Sequence, residues 1–220
     1  MAKAKKLPPG KRHPLRVYQR RFEMLQPITF LIPILSYFLW WIAPDYGVLA
    51  SGRDYLILVV IIAVIIFIGS LIAPAFCYVQ CFADYLLIAS PFYRMNISYL
   101  RLGQVSAVNF GTQYPLSKQK ELEQLLLTPL FKEQRTGELT VVGVPVKKFP
   151  LPIRWLKFWF SRFMFMPRDP GFLFMTPDWM GLSREIEVYR HDYLERRRRK
   201  EEMKLSPASQ ILAKEDMEDG

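Results

Sequence analysis

Two runs without a charged side chain constrain this chain more than anything else in it. Met24 to Pro44 is 21 residues long and lies between Glu23 and Asp45. The second run is the 29 residues between Asp54 and Asp84, and within it Leu56 to Ala73 is almost wholly Leu, Ile, Val, Ala and Phe. A bilayer's hydrocarbon is about 30 Å thick and a helix rises about 1.5 Å per residue, so roughly 20 apolar residues cross it. Both runs meet that length, and spans are expected at about 24–43 and 55–75. A buried core helix as long as the second run would ordinarily carry polar residues at closer intervals. Pro27 and Pro33 interrupt the first run, which spans tolerate where the freed carbonyls find partners. Tyr37, Trp40 and Trp41 resemble an aromatic belt at its far end.

Charge sets the orientation. Residues 1–26 carry eight Lys and Arg and one acid, the connection Pro44–Asp54 carries Arg53 beside Asp45 and Asp54, and everything after Ala75 carries 21 basic and 17 acidic residues. The short connection is therefore expected outside and both termini in the cytoplasm, which leaves almost nothing to receive an external ligand. A cleaved signal peptide fits poorly, because the basic region is long and no Ala-x-Ala site follows Trp41. Of the formal +10, most is thus a topology signal. The expected organisation is a basic cytoplasmic segment (1–26), a transmembrane hairpin (27–76), a cytoplasmic domain (77–200) and an acidic disordered tail (201–220).

In the domain, Tyr78–Phe82, Tyr85–Ala89 and Met95–Ser98 read as short strands around a Ser90–Arg94 turn, and Leu102, Val105 and Val108 extend a further strand to Phe110. Ser117 is expected to cap a helix carrying Leu122, Leu125, Leu126 and Leu130. Gly137–Val146 and Gly171–Met175 read as the closing strands. The last helix begins with Thr176 as N-cap and Pro177 at the first position. Trp179, Leu182, Ile186, Tyr189 and Tyr193 then recur at steps of 3 and 4 as one apolar stripe. The pattern describes an α+β membrane protein in which a small β barrel or sheet is capped by a C-terminal amphipathic helix.

The run from Tyr85-Leu86-Leu87-Ile88 through Phe92-Tyr93-Arg94-Met95-Asn96-Ile97-Ser98-Tyr99 to Leu102 and Val105 resembles the opening of bacterial membrane-flanked pleckstrin-homology-like (PH-like) domains. The resemblance covers 77–110 and, through the closing strand and helix, 170–195. It implies a non-catalytic module at the inner (cytoplasmic) membrane that binds lipid headgroups or protein segments.

The insert at about 147–168 is the segment most suggestive of function, with no acid between Glu138 and Asp169. At 100° per residue, Arg154, Lys157, Ser161 and Arg162 share one arc and Trp155, Leu156, Trp159, Phe160, Phe163 and Met166 the other, with Phe158 and Phe165 breaking the division. Lys147, Lys148 and Arg168 flank it. A basic, Trp- and Phe-rich amphipathic helix suits a membrane interface, where each Lys or Arg contributes about 1 kcal/mol on anionic lipid. The competing reading has the apolar face packed on the domain's own sheet. Lys147, Lys148, Arg154, Trp155, Lys157, Trp159, Phe163 and Arg168 are therefore the candidate lipid-contacting residues. Trp179, Ile186, Tyr189 and Tyr193 are candidates for docking a protein partner or a second copy, as in an accessory subunit of a larger membrane complex.

Chemistry finds no footing. His13 and His191 are expected to be solvated, and Cys77 and Cys81 to be packing residues without the further soft ligands a zinc site needs. No phosphate loop, carboxylate pair or nucleophile elbow is present, so neither cofactor nor catalytic role is expected. The basic N-terminus lies beside a span with no nucleic-acid motif, so no nucleic acid is expected.

Overall fold

The structure, a computed structural model, describes residues 7–42, 53–133 and 139–218. The connection expected outside, over 44–54, lies mostly beyond the described residues, as do Gly137 and Glu138 at the head of an expected strand. The chain is mixed α+β, with two apolar helices and two small antiparallel sheets. Helices α1 (Arg16–Ile42) and α2 (Arg53–Ile72) are long and apolar enough to cross a membrane. They pack on each other with Ser36, Ala63 and Ser70 buried, while most of the surrounding Leu, Ile and Val side chains are exposed. Small residues let helix backbones approach closely where packing rather than water drives association. Thr29 Oγ1 lies 3.4 Å from Ser70 Oγ across this seam. Pro27 and Pro33 both lie inside a continuous α1.

The first sheet runs β1 (Arg12–Pro14), β2 (Tyr78–Cys81), β3 (Tyr85–Ala89) and β4 (Arg94–Ser98); the second runs β5 (Ser106–Asn109), β6 (Thr140–Pro145) and β7 (Gly171–Phe174). Strands β2 to β4 fall where they were expected, β4 with period-2 alternation: Met95 and Ile97 are buried, Arg94 and Asn96 exposed. The strand expected through Leu102 and Val105 starts later. Tyr99–Arg101 forms a 3-10 turn first, and Leu102 makes only an isolated bridge to Val146.

Strand β1 corrects the reading of the N-terminus. Residues taken as a topology signal complete the first sheet, His13 pairing opposite Val79. Gly10 N donates to the Cys81 carbonyl at 2.8 Å, Gln80 Nε2 to the Gly10 carbonyl at 2.8 Å, and the Tyr189 hydroxyl to the Pro8 carbonyl at 2.6 Å. His13, expected to be solvated, is 1% exposed, with Nε2 3.0 Å from Glu185 Oε2. A Cβ on Gly10 would stand 1.7 Å from Glu185 Oε1 and 3.2 Å from the Cys81 carbonyl, so a side chain there would push the Glu185 carboxylate away from its present position. The two apolar helices are therefore an insertion between the first and second strands of the domain, not a hairpin that precedes it.

The insertion is anchored at both ends. Leu15 N donates to the Cys77 carbonyl at 3.0 Å and Arg16 N to the Met175 carbonyl at 2.9 Å. Leu15, Val17 and Tyr18 are buried, so α1 begins inside the domain core and runs on, unbroken, into its apolar stretch. One core layer joins the inner faces of both sheets, with Val79, Ile88 and Ile97 meeting Val144, Phe172 and Phe174. A second covers the far side of the β5–β7 sheet, where Val141 and Leu173 meet Phe110 and α3 (Glu121–Glu133) through Leu126, Leu127 and Leu130. Ser117, expected to cap α3, lies in a separate 3-10 turn; the Glu123 carboxylate instead accepts from Lys120 N at 3.2 Å. Cys77 and Cys81 are free, buried thiols, the first pushed up to about 12 and the second also raised, both chiefly by desolvation.

The C-terminal helix lies C-terminal to β7 and spans Trp179–Glu218. Its N-cap is Asp178, whose Oδ1 accepts from Gly181 N at 3.0 Å, and not Thr176, whose buried hydroxyl makes no hydrogen bond. Its stripe is consumed internally. Leu182, Ile186 and Tyr189 are buried in the first core layer, Trp179 and Tyr193 pack at its edge, and the Tyr193 ring lies 5.8 Å from that of Tyr99. Ile186 and Tyr189 are thus closed to partner docking, and Trp179 and Tyr193 are half-covered. The helix also continues through the stretch expected to be disordered. Good helix formers dominate there, and ion pairs four residues apart, such as Arg197–Glu201 at 2.7 Å, support its earlier turns.

Candidate functional site

The expected amphipathic helix of the insert is much shorter than its periodicity implied. Helix α4 (Ile153–Trp159) has seven residues, and Phe160 then turns extended before a 3-10 turn at Arg162–Met164. The break follows from burial. Leu156 and Phe160 enter the first core layer, while Phe163 turns into the second against Phe110 and Tyr114. A straight helix could not serve both. Phe163 is thereby removed from the candidate lipid-contacting set.

The two readings of the insert divide between its faces. Inward, Trp159 is half-buried and stacks on Tyr93 at 5.6 Å between ring centroids. Outward, Trp155 is 51% and Phe158 73% exposed, and their rings stack at 6.0 Å and 11°. Arg154 and Lys157 are exposed beside them, whereas Lys147, Lys148 and Arg168 lie exposed near the ends of the insert.

The inner end of α4 borders a crevice of about 410 Å³ whose other walls are the first turns of α1 (Val17, Tyr18, Arg21) and the start of α3 (Leu122, Glu123, Leu126). Ser161 N donates to the Tyr18 hydroxyl at 2.9 Å, which fixes the α4 turn to the base of α1. Arg162 binds Glu123 and Gln119 with one guanidinium nitrogen, so the acid on this wall is already neutralised. On the far side of Arg162 a second crevice, about 470 Å³, is lined by Tyr114, Lys118 and Lys157 among others. Tyr114 places its hydroxyl 2.8 Å from the Phe165 carbonyl; burial raises its pKa, against a lowering by Arg162. Arg21, Lys118 and Lys157 make no ion pair among the described residues.

The height of this crevice along α1 matters. Arg21 precedes the uncharged run that starts at Met24 by three residues. Leu122 and Leu125 on α3 are exposed, and Phe92, at the β3–β4 turn, is 84% exposed and borders an apolar groove of about 500 Å³ with Phe22, Leu25 and the end of α2. Exposed apolar side chains and unpaired cations thus gather where the two apolar helices leave the domain. Among the sequence candidates, Lys157, Trp159 and Phe163 line the first crevice; Arg21, Tyr18 and Leu122 on that crevice, and Lys118 on the second, carry no site signal in the sequence. In sequence Arg21 reads only as a topology charge, and nothing local connects it to a segment more than a hundred residues away. Among the described residues no three His, Cys, Asp or Glu side chains converge as metal ligands would. The chain matches no family model, no curated protein and no solved structure.

Proposed function

We propose that this chain is a non-catalytic, two-span protein of the bacterial inner membrane, with both termini cytoplasmic, whose PH-like domain binds anionic lipid headgroups as a scaffold or adaptor. The observation that carries the reading is the set of unpaired cations Arg21, Lys118 and Lys157 beside exposed Phe158 and Leu122, at the level where α1 becomes apolar. Helix α2 is apolar all round and largely exposed, an arrangement stable in hydrocarbon and not in water. Pairing of β1 with β2 brings both ends of the helical insertion to one side, in keeping with the excess of cations before α1. A four-stranded and a three-stranded sheet closed by a C-terminal helix support the PH-like assignment. The accessory-subunit reading retains the exposed Trp155–Phe158 pair as its docking face.

The test is depth. In full-length protein carrying Phe158→Cys, a spin label reports position while buried Cys77 and Cys81 stay unlabelled. Nanodiscs containing phosphatidylglycerol should make the label accessible to a headgroup-level relaxation agent and shield it from an aqueous one. Equal aqueous accessibility in anionic and zwitterionic discs refutes the lipid reading.

A further inference from the structure

We propose that the crevice between α1, α3 and α4 is a one-to-one site for a phosphate ester carried on a lipid headgroup, held by Arg21 and Lys157. The inference rests on the membrane reading above and adds to it a defined stoichiometry and a defined seat. Three observations lead to it. The cavity, about 410 Å³, is of the size that holds small ligands rather than a flat patch. Its free charge is positive, because Glu123 is bound by Arg162 while Arg21 and Lys157 have no acid partner among the described residues. Its rim is apolar: Phe158 and Leu122 are 73% and 72% exposed, and both line it.

That combination selects among phosphate esters. Arg and Lys together bind phosphate oxygens, Arg through a planar fork and Lys as a point charge. A soluble phosphate ester would leave Phe158 and Leu122 in water, whereas a glycerolipid lays its acyl chains over them toward the uncharged part of α1. Because Arg21 belongs to α1 and Lys157 to α4, one bound headgroup bridges the base of an apolar helix and the β domain.

The experiment uses full-length protein in nonionic detergent, where no bilayer orients the chain. Native mass spectrometry follows titration with dioleoyl phosphatidylglycerol, phosphatidic acid or phosphatidylcholine. One anionic lipid per chain should be retained, at least tenfold more tightly than phosphatidylcholine. Arg21→Gln and Lys157→Gln should each weaken retention about tenfold, the scale of one lost charge-assisted contact, while Arg184→Gln and Lys200→Gln, on the C-terminal helix and lining neither crevice, leave it unchanged. Arg21→Lys, with an unaltered melting temperature, should recover most of the affinity and guards against misfolding. Displacement of lipid by equimolar glycerol 3-phosphate keeps the phosphate site and assigns it to soluble esters. Absence of a stoichiometric adduct, or equal weakening by all four Gln variants, overturns the proposal. A failure of this kind leaves the depth measurement on Phe158→Cys standing, and the converse holds, so the two are separable.

Discussion

Replacing His13 with alanine tests whether the N-terminal segment is part of the domain. The imidazole is 1% exposed and lies 3.0 Å from Glu185 Oε2, and the second carboxylate oxygen, Oε1, is buried with no hydrogen-bond partner. Its loss leaves a carboxylate facing a cavity. Removing the hydrogen-bond partner of a carboxylate costs about 1.5–3 kcal/mol, and deleting a ring that is 1% exposed adds a cavity cost; with Glu185 keeping 19% exposure, a total of about 3 kcal/mol is expected. For a chain of this size about 1 kcal/mol moves the melting temperature by roughly 2–4 °C, so a fall of about 6–12 °C follows. Unfolding of full-length protein in detergent, followed by near-ultraviolet circular dichroism, measures it. His13→Ala combined with Glu185→Leu should recover part of the loss, since the unpaired charge is gone. A single-variant shift below about 2 °C would mean that β1 is not docked, and the reasoning from this pair would fail.

Three further outcomes are expected. Cys77 and Cys81 should resist maleimide at pH 8 in folded protein and react on denaturation; the fold favours the neutral thiol, so the Cys77 contribution to stability is full below the ordinary value of 9.0 and is lost as pH rises toward about 12. Asp178→Ala should cost about 1 kcal/mol through loss of the Gly181 N–H cap, while Thr176→Val, at a buried hydroxyl without a partner, should not destabilise; chemical denaturation distinguishes them. In α4, Leu156→Ala should cost about 2–5 kcal/mol and Phe158→Ala less than about 0.5 kcal/mol in detergent, because one side chain is wholly buried and the other is outside.

Strands β2 to β4 of the first sheet were legible because their signal is local. Alternation at Met95-Asn96-Ile97-Ser98 reflects one face on the core and one off it, and each strand meets a neighbour adjacent in sequence. Strand β1 carries no such signal: Arg12-His13-Pro14 has no apolar alternation, and its pairing partner lies beyond both apolar helices. The same distance hid the site. Lys157 and Trp159 could be chosen from the composition of their own segment, but Arg21 joins them through the folded chain, by the bond from Ser161 N to Tyr18 and the packing of Val17 and Tyr18 with Phe163 and Phe160. In the C-terminal helix the stripe was readable and its occupant was not, since periodicity shows that a face is apolar without showing what covers it. The insert failed for a related reason: two core layers pull Phe160 and Phe163 apart, and a single periodicity cannot express two destinations.

The split of the first sheet around the two apolar helices has a consequence for biogenesis. Strand β1 leaves the ribosome first and stays unpaired while the 63 residues from 15 to 77 are made, because β2 begins at Tyr78. On the proposed topology, insertion of both helices returns the chain to the starting side, where the two strands can meet. A chain with one helix left out strands β1 and β2 on opposite faces. The β2 edge is then bare, and an unpaired edge invites aggregation. On the proposed topology, closure of the sheet would therefore act as an assembly checkpoint, coupling survival of the domain to correct threading of the chain.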